Sequence, residues 1–294
     1  MNDFDEKGYY TFPINIEKDK IKNCLFHLKK IKESCKKNKY KFFRVYDDYS
    51  NNINISGIES IFNPQIINQP LIDLFEASDV VNIARKLLKS NEVILTLSRY
   101  HLTEKFSHLG QWHRDGDPGK LQSIQINIYL LDEEGFEIIP NSYLRENTSE
   151  ENNTLKKSAY NNLKNSKNIK SFAGSVLAFH PSFLHRGKSL YERAHIHLRF
   201  KRKDDVKIDK SENLSFEYLN NLKISEDIKK IIVSSLNLMN KDLYQNNNSF
   251  KKKLLRKVRY FFHKFIFFLP YDSFFYKKLS VNPCLKLRKK FNII

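Results

Sequence analysis

Two stretches, "IQINIY" (124–129) and "RAHIHLRF" (193–200), alternate apolar and polar residues with a period of two. Side chains on an extended strand point to opposite faces in turn, so Ile124, Ile126 and Ile128 share one face and Gln125, Asn127 and Tyr129 the other. Around them lie "NEVILTLSRYHL", rich in β-branched residues, "FEIIPNSYL", which runs into a Pro-Asn turn, and "SVLAFHPSFLHRG", apolar and then polar. Short strands separated by turns from about residue 93 to 203 restrict the chain to a sandwich or barrel.

The flanks read differently. "IEKDKIKNCLFHLKKIKESCKK" carries Ile16, Ile21, Leu25, Leu28 and Ile31 at roughly helical spacing. "NNINISGIESIFNP" reads as loop and turn, and "PLIDLFEASDVVNIARKLLKS" as helix, with Ser78 as a candidate N-cap and Asp79 in the first turn. The polar run from 145 to 168 is a surface excursion with some helical character. "SEDIKKIIVSSLNLMNKDL" is helical, started by Ser225 and Glu226. The expected organisation is an N-terminal mixed and helical segment (1–70), a mainly β core (71–205), a helical extension (206–248) and a basic tail (249–294).

With 294 residues the chain can bury a sizeable core. Its three cysteines, Cys24, Cys35 and Cys284, are too widely spaced for a disulfide framework or a Cys-rich zinc site, which fits a reducing interior. "MNDFDEKGYY" has no apolar stretch of a secretory leader, and no apolar run approaches the roughly 18 residues of a membrane span. A cytoplasmic protein is expected. Of the net charge of +18, residues 251–294 supply +12, from thirteen Lys and Arg against Asp272. Basicity therefore describes the tail and says little about the ligand of the β core.

Chemistry concentrates in "GQWHRDGDP" (110–118). His113 and Asp115 have the same parity, so on an extended segment both face one way and can offer a metal an imidazole nitrogen and a carboxylate oxygen. His185, at the end of "SVLAFHPSFLHRG", is the candidate third ligand. Two His and one carboxylate with open positions suit non-haem Fe(II). His-x-Asp alone also arises by chance as a polar surface turn, and His180 and His185 alone read as polar residues at a strand end. Gln125, Asn127 and Tyr129 either line a pocket or form an outward polar face. Trp112 shields the site or simply packs, while Arg99 and Arg186 are either contacts for an anionic substrate or solvated surface residues.

In order, these segments resemble the phytanoyl-CoA dioxygenase family of Fe(II)/2-oxoglutarate-dependent oxygenases, over about residues 70–200. The resemblance rests on "WHRD", on "INIYLLDEEGFEIIPNSYLRE", on "GSVLAFHPSFLHRG" and on "ERAHIHLRF". It implies a double-stranded β-helix (a cupin-like jelly-roll) with iron held by His113, Asp115 and His185, and 2-oxoglutarate and O2 as co-substrates. It implies a basic residue after the distal His that pairs with the far carboxylate of 2-oxoglutarate. Arg193 is preferred and Arg199 is its rival, with Asn127 and Gln125 in the co-substrate pocket. Asp115 implies hydroxylation or a related oxidation rather than halogenation. Asn141 and Tyr143 stand where the family has Gly and His, and Glu134 where it has Asn; none of these is a ligand, and Asn tolerates a left-handed turn.

In the tail, Leu254, Leu255, Val258, Phe262, Phe265, Ile266 and Leu269 follow helical spacing, with Lys253, Arg256, Lys257 and Lys264 largely off that stripe. Such a helix suits the surface of an anionic membrane. Docking on the protein's own core is the competing expectation, and nucleic acid is disfavoured. The expected function is hydroxylation of a small molecule, lipid or lipid-linked glycan such as a lipopolysaccharide sugar, releasing succinate and CO2. A catalytically inactive jelly-roll that binds a glycan or lipid head group is the alternative. A zinc hydrolase is disfavoured for want of a catalytic Glu at a recognisable spacing.

Overall fold

The computed structural model describes residues 2–37, 45–48, 54–64, 66–103, 110–206 and 216–247. The basic tail therefore lies outside the described residues. In chain order the elements are α1 (Asn2–Lys7), β1 (Tyr9–Phe12), α2 (Lys18–Lys37), β2 (Val45–Asp48), β3 (Asn54–Glu59), α3 (Gln69–Ala77), α4 (Val80–Leu88), β4 (Val93–Thr103), β5 (Ile124–Tyr129) and β6 (Glu133–Ile138). They continue with α5 (Ser149–Lys157), β7 (Lys167–Ser171), β8 (Val176–Phe179), β9 (His185–Gly187), β10 (Arg193–Arg202) and α6 (Glu226–Asn247).

The strands form a seven-stranded sheet, ordered β1-β8-β5-β10-β4-β3-β2, and a three-stranded sheet, β7-β6-β9. Every named pairing is antiparallel. Three strands of the large sheet come from the first 70 residues, including β3, whose "NISGIE" was expected to be loop. Pairing to β4 through Gly57–His101, Ile58–Tyr100 and Glu59–Arg99 supplies the extended backbone that local propensity does not.

Both faces of the large sheet are covered. Ile124, Ile126 and Ile128 on β5 and Ala194, Ile196, Leu198 and Phe200 on β10 pack into one core with Leu28, Leu74, Phe75, Leu87 and Ile232 from the helices. Each buried Ile there stabilises by roughly 1.5–3 kcal/mol. The opposite face looks toward the small sheet. Phe136 of β6 meets Phe179 of β8 at 4.7 Å between ring centroids, within a second apolar cluster with Tyr129, Tyr143, Leu177 and Phe183. Gly135 lets β6 and β9 close up, because a Cβ there would collide with the Lys188 carbonyl.

The stretch expected as one helix is two. Asn68 caps α3 by accepting from the Leu71 amide, and Pro70 occupies its first turn. Ser78 ends this helix rather than starting one, its hydroxyl donating to the Phe75 carbonyl, and Asp79 turns the chain with a left-handed φ of 53°. The polar excursion contains α5, opened by a capping box between Thr148 and Glu151. Asn141 adopts φ 59°, the left-handed geometry its side chain tolerates. Among the described residues no helix is long and apolar enough to cross a membrane.

Candidate metal centre

His113 and His185 face each other across an isolated antiparallel bridge, each backbone amide donating to the other's carbonyl at 3.0 Å. Their rings are 4.3 Å apart between centroids. Asp115 follows with its amide on the Pro181 carbonyl, which turns its carboxylate toward the pair. Its Oδ2 lies 4.0 Å from His113 Nε2 and 3.9 Å from His185 Nε2. Ligand atoms of the three residues all lie within 4.8 Å of one another, and no other trio of His, Cys, Asp or Glu among the described residues is so placed.

The donor set fits a metal ion. His113 Nδ1 sits 2.8 Å from the Gln111 carbonyl, and His185 Nδ1 2.8 Å from the Phe183 carbonyl. A carbonyl only accepts, so each Nδ1 carries a proton, and in the neutral ring Nε2 is the nitrogen left to bind a metal. Metal-binding histidines are oriented in this way. Phe136 and Phe179 pack against the His185 ring at 5.7 and 5.6 Å and limit its rotation. Burial, then His113, brings the His185 pKa down to about 4, which keeps the ring neutral. For Asp115 burial pushes the other way, but Arg199, His185, Gln125 and His113 outweigh it and hold the carboxyl at about 2. His113 is 49% exposed, so this end of the jelly-roll is open to solvent.

Below the trio, the inner face of the large sheet is polar. Gln125 donates to Asp115 Oδ2, and Arg199 Nη2 lies 2.9 Å from the same oxygen. Asn127 accepts from His197 Nδ1 at 2.8 Å and donates to the Tyr129 hydroxyl at 3.3 Å. Gln125, Asn127 and Tyr129 thus face inward, since their isoleucine neighbours are covered by helices. Arg99 stands opposite His197 in the β4–β10 register. His101, His195 and His197 are held below their ordinary pKa by burial first; neighbouring charges add to this at His101 and His197, while at His195 burial outweighs the opposing pull of Glu133.

Arg193, the preferred anchor for 2-oxoglutarate, opens β10. Its guanidinium is engaged by Glu133, at 2.6 Å, and both are buried. Glu133 also accepts from His195 Nδ1 at 2.9 Å, and Gly187 is needed beside them because a Cβ there would sit 2.7 Å from Arg193 Nη1. Arg199 lies six positions further along the strand, about 20 Å away, and it is Arg199 that touches Asp115. Arg186, weighed as an anion contact, is 1% exposed and ion-paired to Glu137. Glu133 and Glu137 escaped the sequence reading, because Glu137 meets Arg186 only through the pairing of β6 with β9 and Glu133 meets Arg193 only across the two sheets.

No protein-family model matches the chain, and no curated protein matches it. Solved structures do. EctD from S. alaskensis, in a crystal structure with 2-oxoglutarate and 5-hydroxyectoine, is similar with a TM-score of 0.53 at 17% identity, over 69% of this chain and 75% of that one. AviO1 from Streptomyces viridochromogenes gives 0.54 at 15% identity, over 73% and 95%. SnoN, a non-heme alpha ketoglutarate dependent epimerase from nogalamycin biosynthesis, gives 0.50 at 13% identity, over 68% and 81%. The chain has the double-stranded β-helix fold, a jelly-roll of two antiparallel sheets with flanking helices, that it shares with these proteins.

Proposed function

We propose that the protein is an Fe(II)- and 2-oxoglutarate-dependent oxygenase, with His113, Asp115 and His185 holding the iron. The observation that carries this reading is the convergence of two bare Nε2 atoms and one ionised carboxylate at the open end of the jelly-roll. EctD, which shares the fold, has been solved with bound Fe and with 2-oxoglutarate. Three side chains on one side of the ion leave its remaining positions for co-substrate and O2. When bound, the iron would supply O2 activation coupled to decarboxylation of 2-oxoglutarate, yielding succinate, CO2 and an oxidised substrate.

The chain's own part is positioning. Arg199 and Gln125 hold Asp115 ionised and pointed at the two imidazoles. The inner face presents the guanidiniums of Arg99, Arg193 and Arg199 against the carboxylates of Asp115 and Glu133, so an anion is electrostatically welcome there. Arg199 Nε, Arg193 Nε and Gln125 Oε1 are all buried without a hydrogen-bond partner, which fits a polar ligand on this face. In this reading Arg199, with Arg99 nearby, receives the anionic co-substrate, and the Arg193–Glu133 pair closes the floor beneath it. The substrate class remains the small molecule, lipid or lipid-linked glycan expected from the sequence, supported by a centre reached directly from solvent. The basic tail would place the enzyme on an anionic membrane; equal liposome co-sedimentation of the full chain and a chain ending at residue 248 would end that part.

The test is stoichiometric. Protein loaded anaerobically with Fe(II) and 2-oxoglutarate, then exposed to O2, releases succinate; Asp115→Ala protein releases none. Equal succinate from the two proteins refutes the assignment.

A further inference from the structure

Residues on an extended ribbon point to alternate sides. The bridge that sets His113 opposite His185 on the metal side therefore sets Trp112 and Arg186 together behind it. The Arg186 guanidinium lies over the Trp112 ring, 4.6 Å from its centroid. Every edge of that guanidinium is used. Nε donates to Glu137 Oε2 at 2.6 Å, Nη1 to the Tyr160 carbonyl at 2.9 Å, and Nη2 to Asn162 Oδ1 at 2.7 Å. Trp112 reaches the same loop, its amide donating to Ala159 and its indole N–H to Asn161, both at 2.9 Å.

Such a buried cation is costly, and beside a site for a second cation it is more so. Glu137 gives it a counter-charge but shares that charge with Lys188, so a net positive charge remains, which is not what a metal site gains from. What remains is the planar fork, which ties β9, β6 and the 159–162 loop into one frame behind the two imidazoles. We propose that Arg186 is a positioning residue for the metal centre, fixing the spacing of the His113–His185 pair from the side the metal does not use. This rests on the metal reading above. A lysine can carry the charge but cannot reach three acceptors in one plane, so the frame would loosen while the three ligands stay in place.

Trp112 is the single tryptophan of the chain and adjoins a ligand, so its emission reports metal arrival directly. The probe is Co(II), added anaerobically to the full-length protein and followed by Trp112 quenching and by visible ligand-field bands. Arg186→Lys should bind Co(II) about tenfold more weakly, the low end of the cost of losing a group bonded to a metal ligand, because Arg186 acts through the backbone frame, with altered bands and an unchanged far-UV circular dichroism spectrum. Asn162→Ala removes only an exposed acceptor and should weaken binding measurably but by less than Arg186→Lys does. If the wild type binds Co(II) and Arg186→Lys matches it in affinity and bands, the proposal is overturned. Should Arg186→Lys not fold, unchanged binding by Asn162→Ala overturns it instead. A wild type that takes up no Co(II) defeats both this proposal and the metal reading, whereas a loss confined to the variants supports both.

Discussion

Strand β10 carries a guanidinium at each end of its inner face, and each meets a carboxylate. At one end Arg199 meets Asp115, whose side chain is 28% exposed beside two bare imidazole nitrogens. At the other, Arg193 meets Glu133, which is 1% exposed and shared with His195. The chemistry of the two pairs is the same and the surroundings are opposite. Where water reaches the carboxylate, the arginine holds it ionised beside the two imidazoles. Where nothing can reach it, the pair is part of the framework, and losing one partner strands a charge in the interior.

The largest expected effect separates the two ends. Glu133→Gln or Arg193→Met should cost about 3–5 kcal/mol in denaturant unfolding, the usual penalty for breaking a buried pair, while variant that remains folded keeps its Co(II) affinity. A loss of metal binding without a loss of stability would reverse the assignment of the two ends. Next in size, Arg199→Lys should raise the KM for 2-oxoglutarate about tenfold, as expected for one charge-assisted hydrogen bond, with little change in unfolding. A KM that responds to Arg193→Lys and not to Arg199→Lys would restore Arg193 as the anchor.

Acid should sharpen the contrast further. Burial raises the Glu133 pKa, but Arg193 and His195 outweigh it and hold it at about 2, below its ordinary 4.5. A depressed carboxylate contributes stability that is present above 4.5 and lost as pH falls toward 2. His101, His195 and His197 are depressed from 6.5, so the unfolded chain takes up their protons first and stability also falls below about pH 6.5. Glu133→Gln should flatten the part of the stability–pH curve below 4.5 and, because Glu133 holds the His195 pKa up, deepen the histidine part. Unfolding free energies measured from pH 7 to 3 check this, and identical slopes for the two proteins would contradict it.

Much of the site is legible in the residues. Parity in "WHRD" puts His113 and Asp115 on one side, and alternation in β5 and β10 separates an isoleucine face from a polar face. What parity does not say is which face is inside. Helices cover the isoleucines, so both faces are buried and the polar one becomes the interior of the jelly-roll. The environment of Arg193 is equally hidden, because Glu133 comes from a strand sixty residues earlier and nothing local marks it. Strand β3 was missed since Asn and Gly disfavour strands and only its pairing with β4 makes it one. The break between α3 and α4 turns on one left-handed residue, Asp79, inside an otherwise continuous helical pattern.

The central claim is that His113, Asp115 and His185 form one open centre that holds iron and 2-oxoglutarate together. Anaerobic addition of Fe(II) and then 2-oxoglutarate, followed by visible absorption, tests it most directly. The wild type should develop a charge-transfer band that saturates at one iron per chain, and His185→Ala and Asp115→Ala should not. A band of equal strength in either variant, or none in iron-loaded wild type, would contradict the account.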